Sequence, residues 1–254
     1  MNIWPIALSS FKESIRQKIL YVIVIFSFII VLSALLYKTL AINQEVKLMK
    51  DVGLAAMTVL GMLMAIFTGT SSISHEIDTK TIHTLLAKPV KRSEFILGKF
   101  LGAGLTTLFN VAVMAVGFLA IVGLVEKASP FYLLSAIILI AFELLILISA
   151  AIFFSTIMSQ TFATIFTILL FLIGHVTALF PYLIHKAESL GTKIMASIFY
   201  YLLPNLQYFN LRGEAVSRLP IPLSLVGLTI VYGLLYTAIG LVLSILIIRG
   251  RDFS

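Results

Sequence analysis

Cysteine is absent from the 254 residues, which excludes disulfides, thiolate zinc sites and iron–sulfur clusters. Charge is scarce, with 11% Asp, Glu, Lys and Arg where a soluble domain carries about a quarter. No P-loop of the form GxxxxGK[ST] occurs, and "GKF" at 98–100 lacks both the preceding glycine spacing and the hydroxyl residue. Ser, His and acidic residues are present, but no nucleophile elbow or other catalytic constellation assembles them. The chain itself is therefore expected to have no catalytic residue and no cofactor. Basic stripes with interleaved aromatics are missing outside the apolar runs, so the net charge of +7 does not point to nucleic acid. The opening "MNIWPIALSSFKESIRQKIL" lacks the basic start and small-residue cleavage site of a signal peptide, and the first apolar segment is expected to be retained.

What the chain has instead is apolar surface. It is 60% hydrophobic with a mean hydropathy of +1.11, more than a soluble core of this length can bury. The bilayer is its natural solvent. Apolar runs long enough for a helical span of about 20 residues fall at 19–41, 52–73, 100–125, 131–154, 162–184 and 223–248. The fourth and fifth are separated by the polar patch "STIMSQT" at 155–161. None of the runs alternates apolar with polar residues, which excludes a β-barrel reading. The expectation is an all-α integral membrane fold, a single transmembrane domain of six helices. An even number of spans puts both termini on one side. Lys80, Lys88, Lys91, Arg92 and Lys99 crowd into one short segment, and Arg249 and Arg251 follow the last span. The positive-inside rule then places both termini and that segment in the cytoplasm.

Three segments lie outside the spans. In residues 1–18, Trp4, Leu8, Phe11 and Ile15 share one helical face, opposite Lys12, Glu13, Arg16 and Lys18. This is the pattern of a helix lying in the membrane interface; the first turns of a longer span 1 are the plainer alternative. In the outer segment, 185–222, Leu190, Ile194, Ile198, Tyr201 and Leu202 form an apolar face that should end near Leu203, because Pro204 follows. An interfacial or re-entrant helix is expected there, and Lys193 argues against a seventh span. The third segment, 74–99, is a dense island of charge. "SHEIDTKTIHTLL" has helix length and stops before the Pro89 break; Ser93 then offers an N-cap, with Glu94 in the first turn of a helix that runs on into span 3. Gly98, Gly102 and Gly104 give that helix a small-residue face.

A solvated loop carrying positive-inside charges would explain part of the island. It would not explain the acids Glu76, Asp78 and Glu94, nor the apolar Ile77, Ile82, Leu85 and Leu86 among them. An apolar ridge with a charged rim is the make-up of a docking surface. His75 and His83 are eight apart rather than four, so no helical zinc pair, and no metal site, is expected.

From Glu76 to Lys99 the residues read E-x4-T-I-x2-L-L-A-K-P-V-x-R-x-E-F-I-L-G-K. This resembles the signature of ABC-2 type permeases, the membrane subunits of ATP-binding-cassette exporters. The layout of six spans, an amphipathic N-terminal helix, an outer segment ending "LLPNLQYFN" and a short basic end "RGRDF" is similar along the whole chain. Within the family the closest likeness is to stand-alone permeases such as the nitrous-oxide-reductase maturation type. The resemblance implies a prokaryotic inner-membrane location and a second permease copy, giving a homodimer with the substrate route between the copies. It also implies two copies of a separate ABC ATPase that bind ATP and magnesium. It implies further that residues of about 74–87 form a coupling helix seated in the ATPase. His75, Glu76, Asp78, Lys80 and His83 would be its polar contacts and Ile77, Ile82 and Leu85 its apolar ones. Beyond membrane lipid, a periplasmic or extracellular partner for the outer segment stays open.

Three polar residues fall inside spans: Asn110, Glu143 and His175. An intramembrane acid suggests a functional site by default, and His175 and Asn110 are its candidate partners. Interhelical hydrogen bonds of purely structural value are the alternative. Two other functions remain: an ion- or proton-coupled carrier built on Glu143 and His175, and a scaffold that passes ATPase motion to an outer partner without transport. The substrate is not legible.

Overall fold

The computed structural model describes residues 45–78, 92–186 and 189–250, with isolated positions between Trp4 and Leu32. Among the described residues every regular element is helical. The α-helices are α1 (Glu45–Asp78), α2 (Arg92–Glu126), α3 (Leu134–Ile157), α4 (Gln160–Val176), α5 (Phe180–Lys186), α6 (Leu190–Leu202), α7 (Arg212–Val216) and α8 (Leu223–Gly250). Four of them, α1, α2, α8, and α3 with its leading 3-10 turn, are long and apolar enough to cross a membrane; α4 with α5 makes a fifth if the bent pair is one span. The expected first span, 19–41, lies almost wholly outside the described residues.

The long helices run alternately. α1 starts at the end of the bundle that holds Lys50 and leaves it at Asp78; α2 returns, α3 descends, α4 returns and α8 descends again. With 34 residues, α1 is about 51 Å long at 1.5 Å per residue. The hydrocarbon core is about 30 Å thick, so α1 is longer than the core it has to cross.

α3 is the centre. It packs against α1, α2, α4 and α8, and Leu139, Leu144, Leu147, Ile148 and Ile152 are completely buried. α8 is the opposite case. It buries one stripe, Val226, Thr229, Gly233, Thr237, Leu241, Ser244 and Ile248, at steps of three or four, and leaves Leu228, Leu235 and Leu246 outward. In a bilayer such residues need no protein cover, because lipid tails are as apolar as leucine.

Small residues allow the tight seam between α1 and its neighbours. Gly53, Gly61 and Gly69 are spaced by eight along α1. A Cβ on Gly53 would lie 2.3 Å from the Phe118 ring of α2, one on Gly61 2.6 Å from Leu144 of α3, and one on Gly69 2.7 Å from Ala151 Cβ and 3.3 Å from the Ile148 carbonyl. In the expected small-residue face of α2, by contrast, Gly104 has only ordinary contact with Leu145 at 3.5 Å.

Local chemistry sets the breaks. α3 ends at Ile157; Met158 is extended, and Ser159 precedes α4. The apolar run 162–184 is not one straight helix: α4 stops at Val176 and the chain turns 71° into α5. Pro181 supplies the reason, since its ring would clash with the carbonyl four residues back in a continuing helix. At the N-terminus, the Phe11 ring meets Phe109 of α2 edge-on at 6.3 Å, Ala7 is buried, and Trp4 and Leu8 face outward. Ile15 lies outside the described residues.

Gly69→Leu should destabilise the purified protein by about 1–3 kcal/mol through overpacking against backbone. Gly227, which has nothing within 4 Å of its would-be Cβ, should accept leucine without loss. Thermal unfolding of the two variants in one detergent checks the contrast.

Candidate functional site

Three polar regions stand out, at the two ends of the bundle and in its interior. At the Asp78 end, α1 continues without a break from its apolar run through His75, Glu76, Ile77 and Asp78. The first residues of the charged island are therefore a direct extension of a membrane-crossing helix. Lys80, Ile82, His83 and Leu85, with the rest of the expected coupling helix, lie outside the described residues. The chain re-enters as α2 at Arg92, with Ser93 inside its first turn and Glu94 near its positive end. Arg92 Nη1 donates to the carbonyls of Ile248 and of Arg249, the latter at 3.2 Å. A cation thereby satisfies carbonyls that the last turn of α8 leaves free, and the two helix ends nearest the island are joined.

In the interior, Glu143 lies about 14 Å along α3 from Leu134 at 1.5 Å per residue, and it is 1% exposed. His175 Nε2 of α4 stands 3.4 Å from Glu143 Oε1, and His175 Nδ1 is 3.2 Å from the Phe171 carbonyl of its own helix. Glu143 Oε1 has no hydrogen bond of good geometry, so the histidine contact is close but not aligned. Thr58 of α1 and Asn210 and Arg212 from the segment before α8 complete the wall. Arg212 Nε donates to Asn210 Oδ1 at 2.8 Å. The gap between them leaves no room for a water molecule. In this conformation the residues form a packed polar junction rather than a chamber for a solute. Asn110 does not join them; its Nδ2 donates at 2.9 Å to the Thr106 carbonyl, one turn back in α2.

The segment carrying Asn210 and Arg212 is pinned by aromatics. Tyr232 Oη of α8 accepts the Asn205 N–H at 2.7 Å, the Tyr232 ring packs on Tyr208 and Phe209, and Asn205 Oδ1 accepts from Gln207 N. Phe209 is buried against Gly233. By contrast, α6 has no buried residue.

The third region is at the Lys50 end. Lys50 is 4% exposed, and its ammonium donates to Glu126 Oε1 at 3.0 Å, to the Val216 carbonyl at 3.1 Å and to Tyr132 Oη at 3.2 Å. Three donors meet three acceptors, which is what a buried ammonium requires. Glu126 Oε2 accepts from Tyr132 Oη at 2.6 Å and from Arg218 Nη2 at 2.8 Å. The Arg218 guanidinium lies over the Tyr132 ring at 4.9 Å, and the Arg218 backbone is left-handed at φ 54°. Four chain segments are tied by this one knot: the starts of α1 and α3, the end of α2 and the end of α7.

Sequence analysis did not single out Lys50, Glu126, Arg212 or Arg218. A signal for Lys50 was present. It is in helical phase with Leu54, Met57 and Gly61, all buried, so it belongs to the inward face of α1. For Glu126 and Arg218, far apart in sequence, no local pattern announces the pairing.

Lys50→Met should cost about 3 kcal/mol, because it leaves the Glu126 carboxylate buried with one cation fewer. Arg218→Gln, at a side chain 54% exposed, should leave the unfolding midpoint almost unchanged. Thermal unfolding of both variants in detergent tests the ordering.

A family model described as "ABC-2 family transporter protein" matches residues 4–248. No curated protein matches the chain.

Proposed function

The chain belongs to the ABC-2 transporter family, and from that premise we propose that it is the membrane-spanning permease subunit of an ATP-binding-cassette exporter. In this reading six spans, with the first at 19–41, sit in a prokaryotic inner membrane with both termini cytoplasmic. Two copies form the permease, and two copies of a separately encoded ATPase bind ATP and magnesium. The family match along nearly the whole chain carries the reading.

The course of α1 supports the coupling step. A helix that passes from a membrane span into His75–Asp78 without interruption can transmit a push at its charged end as a rigid lever. Arg92, bonded to the end of α8, offers the same push a second route into the bundle. ATPase closure on the island at 74–87 would tilt α1 and α8 against α3, and the pair of permeases would rock between inward- and outward-facing states. At the other end, the knot at Lys50 would keep the starts of α1 and α3 and the end of α2 moving as one body. The tight junction at Glu143 and His175 would have to open before any solute passed it.

A second reading rests on that same junction: an ion-coupled carrier in which Glu143 and His175, 3.4 Å apart, take up and release a proton. The scaffold reading, motion delivered to an outer partner, shares the ATPase interface and differs only in what is moved.

Replacing Glu76 and Leu85 together with alanine should cut co-purification of the ATPase at least about tenfold, the effect of losing roughly 1.4 kcal/mol of binding. The permease itself should remain folded. Full ATPase recovery with the doubly substituted protein would remove the island from the interface.

A further inference from the structure

A cleft of about 510 Å³ opens beside the Lys50 knot, within the range of roughly 300–1,000 Å³ usual for small-molecule sites. Its walls are the first turns of α3, through Phe131, Leu134 and Ile138, and the stretch entering α8, through Leu219, Ile221 and Leu223. Phe131, Leu219 and Leu223 leave more than half of their surface uncovered. The polar part is concentrated at one place, where Arg218 and Tyr132 line the same cleft.

Charge at that place is unbalanced. Lys50 and Arg218 share the single carboxylate of Glu126, so the knot keeps one positive charge in excess. Both Glu126 oxygens are occupied by Lys50, Tyr132 and Arg218, and the carboxylate side chain is only 8% exposed, which limits its repulsion of an incoming anion. Arg218 uses Nη2 for Glu126. A guanidinium has five N–H donors, and with this side chain 54% exposed others remain available to a ligand. An apolar trough at the ends of two membrane-crossing helices, with a cation at its head, has the form of an amphiphile site.

We propose that this cleft binds one anionic glycerophospholipid, with its phosphate on Arg218 and an acyl chain along Leu134, Ile138 and Leu223. Three observations choose this occupant over a second copy of the chain. The cleft lies at the ends of α3 and α8, two helices long and apolar enough to cross a membrane. Its apolar wall is continuous with the lipid-facing side of α8. Among the described residues its one formal charge is a cation, Arg218, at the head of that wall. A bound lipid would brace α3 against the segment leading into α8 at the point where the knot already joins α1, α2 and α7. The proposal depends on the membrane setting and not on ATP-driven transport.

The test is native mass spectrometry of the full-length purified protein, titrated in detergent with phosphatidylglycerol or phosphatidylcholine. Wild-type protein should retain phosphatidylglycerol about tenfold better, the worth of a charge-assisted hydrogen bond. Arg218→Gln should erase that preference while phosphatidylcholine retention stays the same, and Arg218→Lys should restore part of it. Lys193→Gln, a cation that does not line the cleft, should change nothing. Ile138→Trp, which fills the trough and leaves the knot intact, should reduce retention of both lipids. Equal phosphatidylglycerol retention in wild type and Arg218→Gln would overturn the proposal. So would displacement of the lipid by millimolar inorganic phosphate, which would mark a free-anion site. A change of oligomeric state in Ile138→Trp with unaltered lipid retention would overturn it in favour of a second copy of the chain.

Discussion

An ammonium sealed from water at one end of a helix bundle imposes more order than any single apolar contact here. Lys50 is 4% exposed, and leaving it unpaired would cost several kcal/mol. The chain meets the demand with a carboxylate from α2, a phenol from the entry to α3 and a carbonyl from α7. These acceptors are 76, 82 and 166 residues away in sequence. They come together only if α2 has returned, α3 has begun its descent and the segment after α6 has folded back. Apolar burial gives the helices reason to pack, but it is nearly non-directional. The knot fixes which helix ends meet.

The interior follows a different logic. α1 and α3 approach closely because Gly61 and Gly69 leave room, and α8 approaches α3 through Gly240, whose would-be Cβ lies 2.9 Å from Ser149 Oγ. In lipid such close packing has to supply what the hydrophobic effect supplies in water. The polar groups set into these seams, Thr68 opposite Thr107 at 3.5 Å and Glu143 beside His175, are then confined to positions where a neighbouring helix covers them. Among the described residues a cross-linked knot stands at Lys50, and Arg92 joins the start of α2 to the end of α8 at the opposite end.

Much of this was legible in the residues. Hydropathy alone located the runs that become α1, α2, α3 and α8, because a span must be long and nearly uncharged. The polar patch at 155–161 located the break between α3 and α4, where Met158 is extended. The 71° turn after Val176 was not read, although Pro181 carries the cause, because an apolar run hides a bend that costs no hydropathy. Glu143 and His175 could be singled out as unusual in a span, and the histidine is the partner that the fold brings close while Asn110 turns back onto Thr106. Lys50, Glu126 and Arg218 could not be paired from sequence: helical phase puts Lys50 on the inward face of α1, but its partners lie far away in the chain and charges next to spans are expected for orientation alone.

In the permease proposed here, ATP hydrolysis by a partner, and not an ion gradient, would drive the chain. The most direct measurement is substrate efflux or uptake in proteoliposomes holding the permease with its co-purified ATPase, compared with liposomes holding the permease alone under an imposed proton gradient. ATP-dependent transport is expected in the first and none in the second. Gradient-driven transport by the permease alone, abolished by Glu143→Gln, would contradict it.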